Sequence, residues 1–222
     1  MSRLSILSLA LLSSLSFGAA ASPSALDAAI ADVSHGWASA SYQTPEAQQE
    51  AVFGKLIERS KAVVDSYPGR AEPLIWEAIV LSSAAKAEGG LGALGKVKSA
   101  RKLLEQAEKI DPTALNGSVY NSLGSLYAKV PGWPIGFGDK QKAREYLEKA
   151  LAINPNGIDP NYFYADLLAD QGEYAKAVEH LKRALAAPPR PGREDADAGR
   201  RADVQHLLNK IRQQHGDQLA SK

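Results

Sequence analysis

A spacing of 34 residues governs the second half of the chain. Ala143, Leu147, Ala150 and Pro155 recur as Ala177, Leu181, Ala184 and Pro189, each pair 34 residues apart, and the same local spacing stands earlier as Ala100, Leu104, Ala107 and Pro112. A fixed period of this kind marks stacked copies of one small unit, none of which can bury its apolar face alone. The Ala residues let two helices approach closely, the Leu fills the seam between them, and the Pro stops the helix before the next begins. Each set therefore reads as the second helix of a helical hairpin. The segments ahead supply the first helices: Trp76 with Ile79 and Val80, Tyr120 with Leu123, Gly124 and Tyr127, and Tyr164 with Ala165 and Leu168. Spacings of three, four and seven put those residues on one helix face.

The pattern resembles the tetratricopeptide repeat, with its W-x2-L-G-x2-Y and A-x3-F signature. The resemblance covers residues 70–189 and implies an all-α fold, antiparallel helical hairpins stacked as an α-solenoid. Three repeats are expected, two of them with long loops inside the repeat. Residues 22–69 read as divergent helices that start the stack; LIERSKAVVDSYP (56–68) fits only loosely, with Pro68 in the terminating slot. Thr44-Pro45-Glu46 reads as one helix start, with a hydroxyl cap, a proline in the first turn and an acid near the positive helix end. After the short break PPRPG (188–192), Val204, Leu207, Leu208 and Ile211 form an apolar stripe at helical spacing. Residues 190–222 are thus expected to give a capping helix over the last repeat and, from about Gly216, a frayed tail.

The first 21 residues, MSRLSILSLALLSSLSFGAAA, hold one positive charge, an apolar run broken only by serines, and three alanines before Ser22. That is the layout of a cleaved secretory signal peptide, too short in its apolar part to span a bilayer in ~20 residues. The expected location is the periplasm, with no stable membrane insertion after cleavage. The chain has no cysteine, which removes disulfides and a lipid-acceptor thiol from consideration. Loss of Arg3 with the signal peptide takes the formal net charge from +1 to zero, which argues against nucleic acid as a partner.

GGLGALGK (89–96) has the glycine spacing of a phosphate-binding loop, but Val97 stands where a magnesium-binding Ser or Thr belongs, and a helix rather than a strand precedes it. The sequence predicts a loop in which glycines take unusual backbone angles, with no nucleotide. This segment is an insertion between first and second helix, repeated 43 residues later: Lys86, Gly95 and Ala100 correspond to Lys129, Gly138 and Ala143. The second insertion, PGWPIGFGD (131–139), puts Trp133, Ile135 and Phe137 on a loop that either packs over the helix ends or lines a ligand or partner site. Asp139 is placed to cap the helix that starts at Lys140.

His35, His180, His206 and His215 are scattered, so no metal site is expected, and neither a nucleophile elbow nor a convergent set of carboxylates is present. The expectation is a protein without catalysis or cofactor. By resemblance to the family, the inward positions of the first helices are Glu77, Leu81, Asn121, Ser125, Tyr162 and Asp166, a mixed groove for a protein or peptide partner. Phe137-Gly138-Asp139 followed by Ala143-Arg144 is also similar to the T-component of tripartite ATP-independent periplasmic transporters. That likeness implies an alternative, a transport-accessory subunit that forms homo-oligomers and binds a small apolar ligand.

Overall fold

The computed structural model describes residues 24–220, so the signal-peptide reading of residues 1–21 lies outside the described residues. Nine helices and no strand occur among the described residues: α1 (Ala25–Tyr42), α2 (Glu46–Ser66), α3 (Ala71–Glu88), α4 (Ala93–Ile110), α5 (Ala114–Lys129), α6 (Lys140–Ile153), α7 (Ile158–Asp170), α8 (Tyr174–Leu185) and α9 (Glu194–Ala220). None of them is long and apolar enough to cross a membrane.

The hairpins are α3 with α4, α5 with α6, and α7 with α8, stacked in chain order as an α-solenoid. Their seams are the periodic residues. Leu104, Leu147 and Leu181 are fully buried, as are the alanines that flank them. Gly124 marks the closest approach, since a Cβ there would stand 3.1 Å from the Ala143 carbonyl oxygen and would overlap Leu147. α4, α6 and α8 stop at Ile110, Ile153 and Leu185, each ahead of its proline at 112, 155 or 189. The helix starts are chemically marked too. Ser24 and Asp27 form a reciprocal capping box on α1, and Asp139 accepts from the backbone N–H of Gln141 and Lys142 at the start of α6.

Two local expectations need correction. The Thr44 hydroxyl makes no cap on α2; it donates 3.1 Å back to the Ser39 carbonyl at the end of α1. The glycine-rich insertion is also shorter than a long loop. α4 begins at Ala93, so Gly95 and Lys96 are helical and only residues 89–92 connect α3 to α4. Gly89 and Gly90 take positive φ (67° and 61°), which is the conformational role glycine serves there, and Lys96 pairs with Glu88 across the turn at 2.5 Å.

Contacts between helices define two layers. α1, α3, α5, α7 and α9 touch one another in succession, whereas α2, α4, α6 and α8 do not. The layer whose members touch is the inner, concave one. α1 and α9 also meet, although they are the first and last helices of the stack. α9 thus does more than cap α8. It runs as helix to Ala220, with one non-helical residue at His215, whose ring stacks on Tyr174 at 3.7 Å, past the point where the sequence suggested fraying.

Candidate functional site

The inner faces of α3, α5 and α7 depend on register. The 43-residue offset of the two insertions continues back into the helices: Ala78 and Asn121, Leu81 and Gly124, and Ala85 and Ala128 are buried in matched pairs. Trp76 therefore corresponds to Val119, one residue before Tyr120. It turns toward α1, where its ring meets Trp37 edge-on at 6.1 Å.

This shift relocates two of the six positions read as inward. Glu77 faces α2, with Lys61 and Asp65 as its charged neighbours, and burial raises its carboxyl pKa. Leu81 is buried in the main core. The other four remain with the inner layer. Asn121 is buried with its Oδ1 unpartnered, Ser125 is partly buried, Tyr162 lies under Arg200, and Asp166 pairs with Lys129 at 2.7 Å.

Part of the inner face, between α7, α3 and α1, is covered by the chain itself, where Tyr162 is met. Residues 190–203, which lead into and begin α9, cross the inner face from α7 to α1. Arg190 and Arg200 converge on Asp159 at the start of α7, with N–O distances of 2.6 and 2.8 Å. Arg190 also holds Asp197, and Arg200 holds Asp203 at 3.0 Å. Arg200 stacks over Tyr162 and Phe163, and Arg193 over Trp76. On the α1 side, Asp195 meets His35 at 2.8 Å, the Tyr42 hydroxyl donates to Asp203 at 3.2 Å, and Gly199 lies so close to the Tyr42 ring that a Cβ would overlap it.

The electrostatics follow from this convergence. Burial alone would raise the pKa of Asp159, but Arg200 and Arg190 outweigh it and hold the carboxyl at about 2. Burial pushes the Tyr42 hydroxyl well above its ordinary value. Burial and then Arg190 lower the pKa of Arg193, whose buried Nε has no hydrogen-bond partner. The sequence placed 190–192 in a break and Arg200 off an apolar stripe; the alternation of Arg and Asp from 190 to 203 was the available signal for a charged seam.

The aromatic loop between α5 and α6 divides. Phe137 packs inward, edge-on to Tyr127 at 5.5 Å and under Arg101 at 4.4 Å. Gly138 abuts the Val130 carbonyl, where a Cβ would overlap it, and the Asp139 N–H donates 2.9 Å to the Tyr127 carbonyl. The Phe137-Gly138-Asp139 motif thus has a local structural role at each position. Trp133 and Ile135 project instead, 89% and 58% exposed, and Leu91 of the α3–α4 connection is 81% exposed.

A cavity of about 200 Å³ lies between α7 and the second half of α9, lined by Asp166, Asp170, Tyr174, Lys210 and His215 among others. Its lining is mainly polar. Among the described residues no three histidine, aspartate or glutamate side chains converge in a way that would hold a metal.

Fold and site together define a helical-repeat protein whose inner face is partly covered by the start of its last helix. Residues 135–193, from the aromatic loop through α8 to Arg193, match the family model of the tetratricopeptide repeat, and the fold is that of a tetratricopeptide-repeat α-solenoid. Proteins of this fold are in general protein–protein interaction modules. The crystal structure of a thermophilic TPR protein from Thermus thermophilus is similar at 19% identity and a TM-score of 0.55, over 72% of this chain and 73% of that one. Weaker likenesses are MamA (19% identity, TM-score 0.40, 75% of this chain and 94% of that one) and pilF of Pseudomonas aeruginosa (16%, 0.35, 86% and 94%). No curated protein sequence matches the chain.

Proposed function

We propose that the chain is a non-catalytic periplasmic interaction module that binds a protein or peptide partner, with the exposed Trp133 and Ile135 of the α5–α6 loop as its first point of contact. The supporting observation is that Trp133 is 89% exposed on a loop whose base is fixed by Phe137, Gly138 and Asp139. Large exposed aromatics on a rigid scaffold are the residues that anchor protein interfaces, because they bury much area with few torsions to freeze. The inner face adds Asn121, Ser125, Tyr162 and Asp166 where a partner reaches past residues 190–203.

The test is to put a photo-crosslinking benzoylphenylalanine at position 133, irradiate intact cells and look for discrete adducts in the periplasmic fraction. A reproducible adduct that is missing when the crosslinker is moved to an exposed helix position such as Glu58 supports the reading; smears at both positions, or no adduct, sink it. Amino-terminal sequencing of the same material is expected to begin at Ser22. Recovery of the protein from the cytoplasm with its leader intact would remove the periplasmic part.

A further inference from the structure

The concave face of a stack of helical hairpins is where such proteins offer most contact area, and here residues 190–203 cover its part between α1, α3 and the start of α7. Their hold is polar. Arg200 lies 4.6 and 4.7 Å from the ring centroids of Tyr162 and Phe163 with its Nε 2.8 Å from Asp159, and Arg193 lies 4.9 Å above Trp76. Of the residues from 190 to 203, Ala196 alone joins an apolar cluster. The second part of α9 is fastened differently, by Val204, Leu208 and Ile211 buried against α7 and α8. Segments held by few apolar contacts open at lower free energy than the core they lie on. Residues 190–203 can therefore lift while the rest of α9 stays in place, and the exposed Pro189 ahead of them and Pro191 and Gly192 at their start belong to no helix.

The surface beneath is chemically selective. It offers one carboxylate, Asp159, between aromatic faces, and a guanidinium satisfies both at once because it is planar and stacks on a ring while its N–H groups pair with the carboxylate. An ammonium fills the charge but not the plane. We propose that Asp159, Tyr162, Phe163 and Trp76 form a docking site for a partner segment that presents two arginines seven residues apart, one just ahead of a helix and one within it, and that residues 190–203 are a displaceable stand-in for that segment. Arg193, immediately ahead of α9, and Arg200, within it, supply the spacing. The proposal rests on the reading of the chain as an interaction module but concerns a surface distinct from the Trp133 loop.

The test uses a fluorescein-labelled synthetic peptide of residues 190–206 and full-length protein, read by fluorescence anisotropy. In the wild type the tethered copy has an effective concentration on the order of millimolar, so the free peptide is excluded. Gly199→Leu puts a side chain where the Tyr42 ring stands and expels the tethered copy. The variant is expected to bind the peptide at least tenfold more tightly than the wild type does. Replacing the arginine equivalent to Arg200 in the peptide by alanine is expected to weaken binding tenfold or more, and replacing both arginines by lysine several-fold.

Equal binding of the peptide to wild type and variant, or equal binding of the arginine and lysine peptides, overturns the proposal. Should Gly199→Leu lose its helical circular dichroism, Arg193→Ala/Arg200→Ala loosens the tethered copy without a steric clash and is read in the same way; a folded double variant that ignores the peptide also overturns it. The crosslink at position 133 is measured separately, so either idea can fail while the other stands.

Discussion

Replacing Asp159 by Asn should destabilise the protein by an amount set by the seam at the concave face. The carboxyl is held down from the ordinary 3.8 to about 2, and that difference corresponds to about 2 kcal/mol of folding stability at neutral pH. Asn keeps the shape and one acceptor but removes the charge. Removal of one partner from a buried pair often costs more, about 3–5 kcal/mol, but here Arg200 retains Asp203 and Arg190 retains Asp197, so the lower figure applies. The sign of the pH dependence is fixed by the depressed pKa. The contribution is fully present above the unfolded value near 4 and is lost as pH falls through the folded value near 2. Urea denaturation followed by far-ultraviolet circular dichroism at pH 7, 5, 3 and 2, on wild type and Asp159→Asn, isolates this group because the other carboxylates are common to both. The gap should be about 2 kcal/mol at pH 7 and 5, roughly half that near pH 3, and small at pH 2. A gap under about 0.5 kcal/mol at pH 7, or one that stays constant into acid, would show that Asp159 is not paired as described.

Leu147→Ala removes a fully buried seam residue of α6 and should cost about 2–5 kcal/mol, read as a lower urea midpoint with an unchanged slope. Trp133→Ala, at an 89% exposed position, should change stability by less than about 0.5 kcal/mol while removing whatever contact the indole makes; a large loss of stability would mean that the indole packs on the fold. Gly138→Ala forces a methyl group into the Val130 carbonyl and should cost about 1–3 kcal/mol, with the Trp133 loop rearranged in its fluorescence.

The outer layer of this fold is legible in the sequence because its information is local and repeated. Ala143, Leu147 and Ala150 answer to Ala177, Leu181 and Ala184 at one spacing, and the same small-large-small seam can be recognised wherever it recurs. The inner layer carries weaker marks. Trp76, Tyr120 and Tyr164 are each 44 residues apart and invite alignment, yet burial follows the 43-residue offset from Lys86 to Lys129. Aromatic type misled because Trp76 is answerable to α1, a neighbour that belongs to no repeat. A one-residue error rotates a helix by about 100°, enough to send Glu77 toward α2 and Leu81 into the core. The start of α9 was harder still, since its partners, Asp159 at 31 and 41 residues and His35 at 160, lie far away along the chain. No periodicity links them, and charge alone reads as a solvated helix face.

That difference in legibility has an energetic counterpart. Seams built from buried Leu and Ala are insensitive to salt and to pH, whereas a seam built from Arg190, Arg193 and Arg200 on Asp159 and aromatic rings weakens with both, because its attraction is partly coulombic and several of its members are reached by solvent. The two halves of α9 should therefore separate under mild conditions. Amide hydrogen exchange of the intact protein between 0.05 and 0.5 M salt, values about one to ten times a typical low ionic strength, ought to accelerate at residues 195–203 and leave residues 204–211 as slow as α8. Uniform acceleration along α9 would mean that the helix opens as one unit, and that the charged seam and the apolar cap are a single fastening.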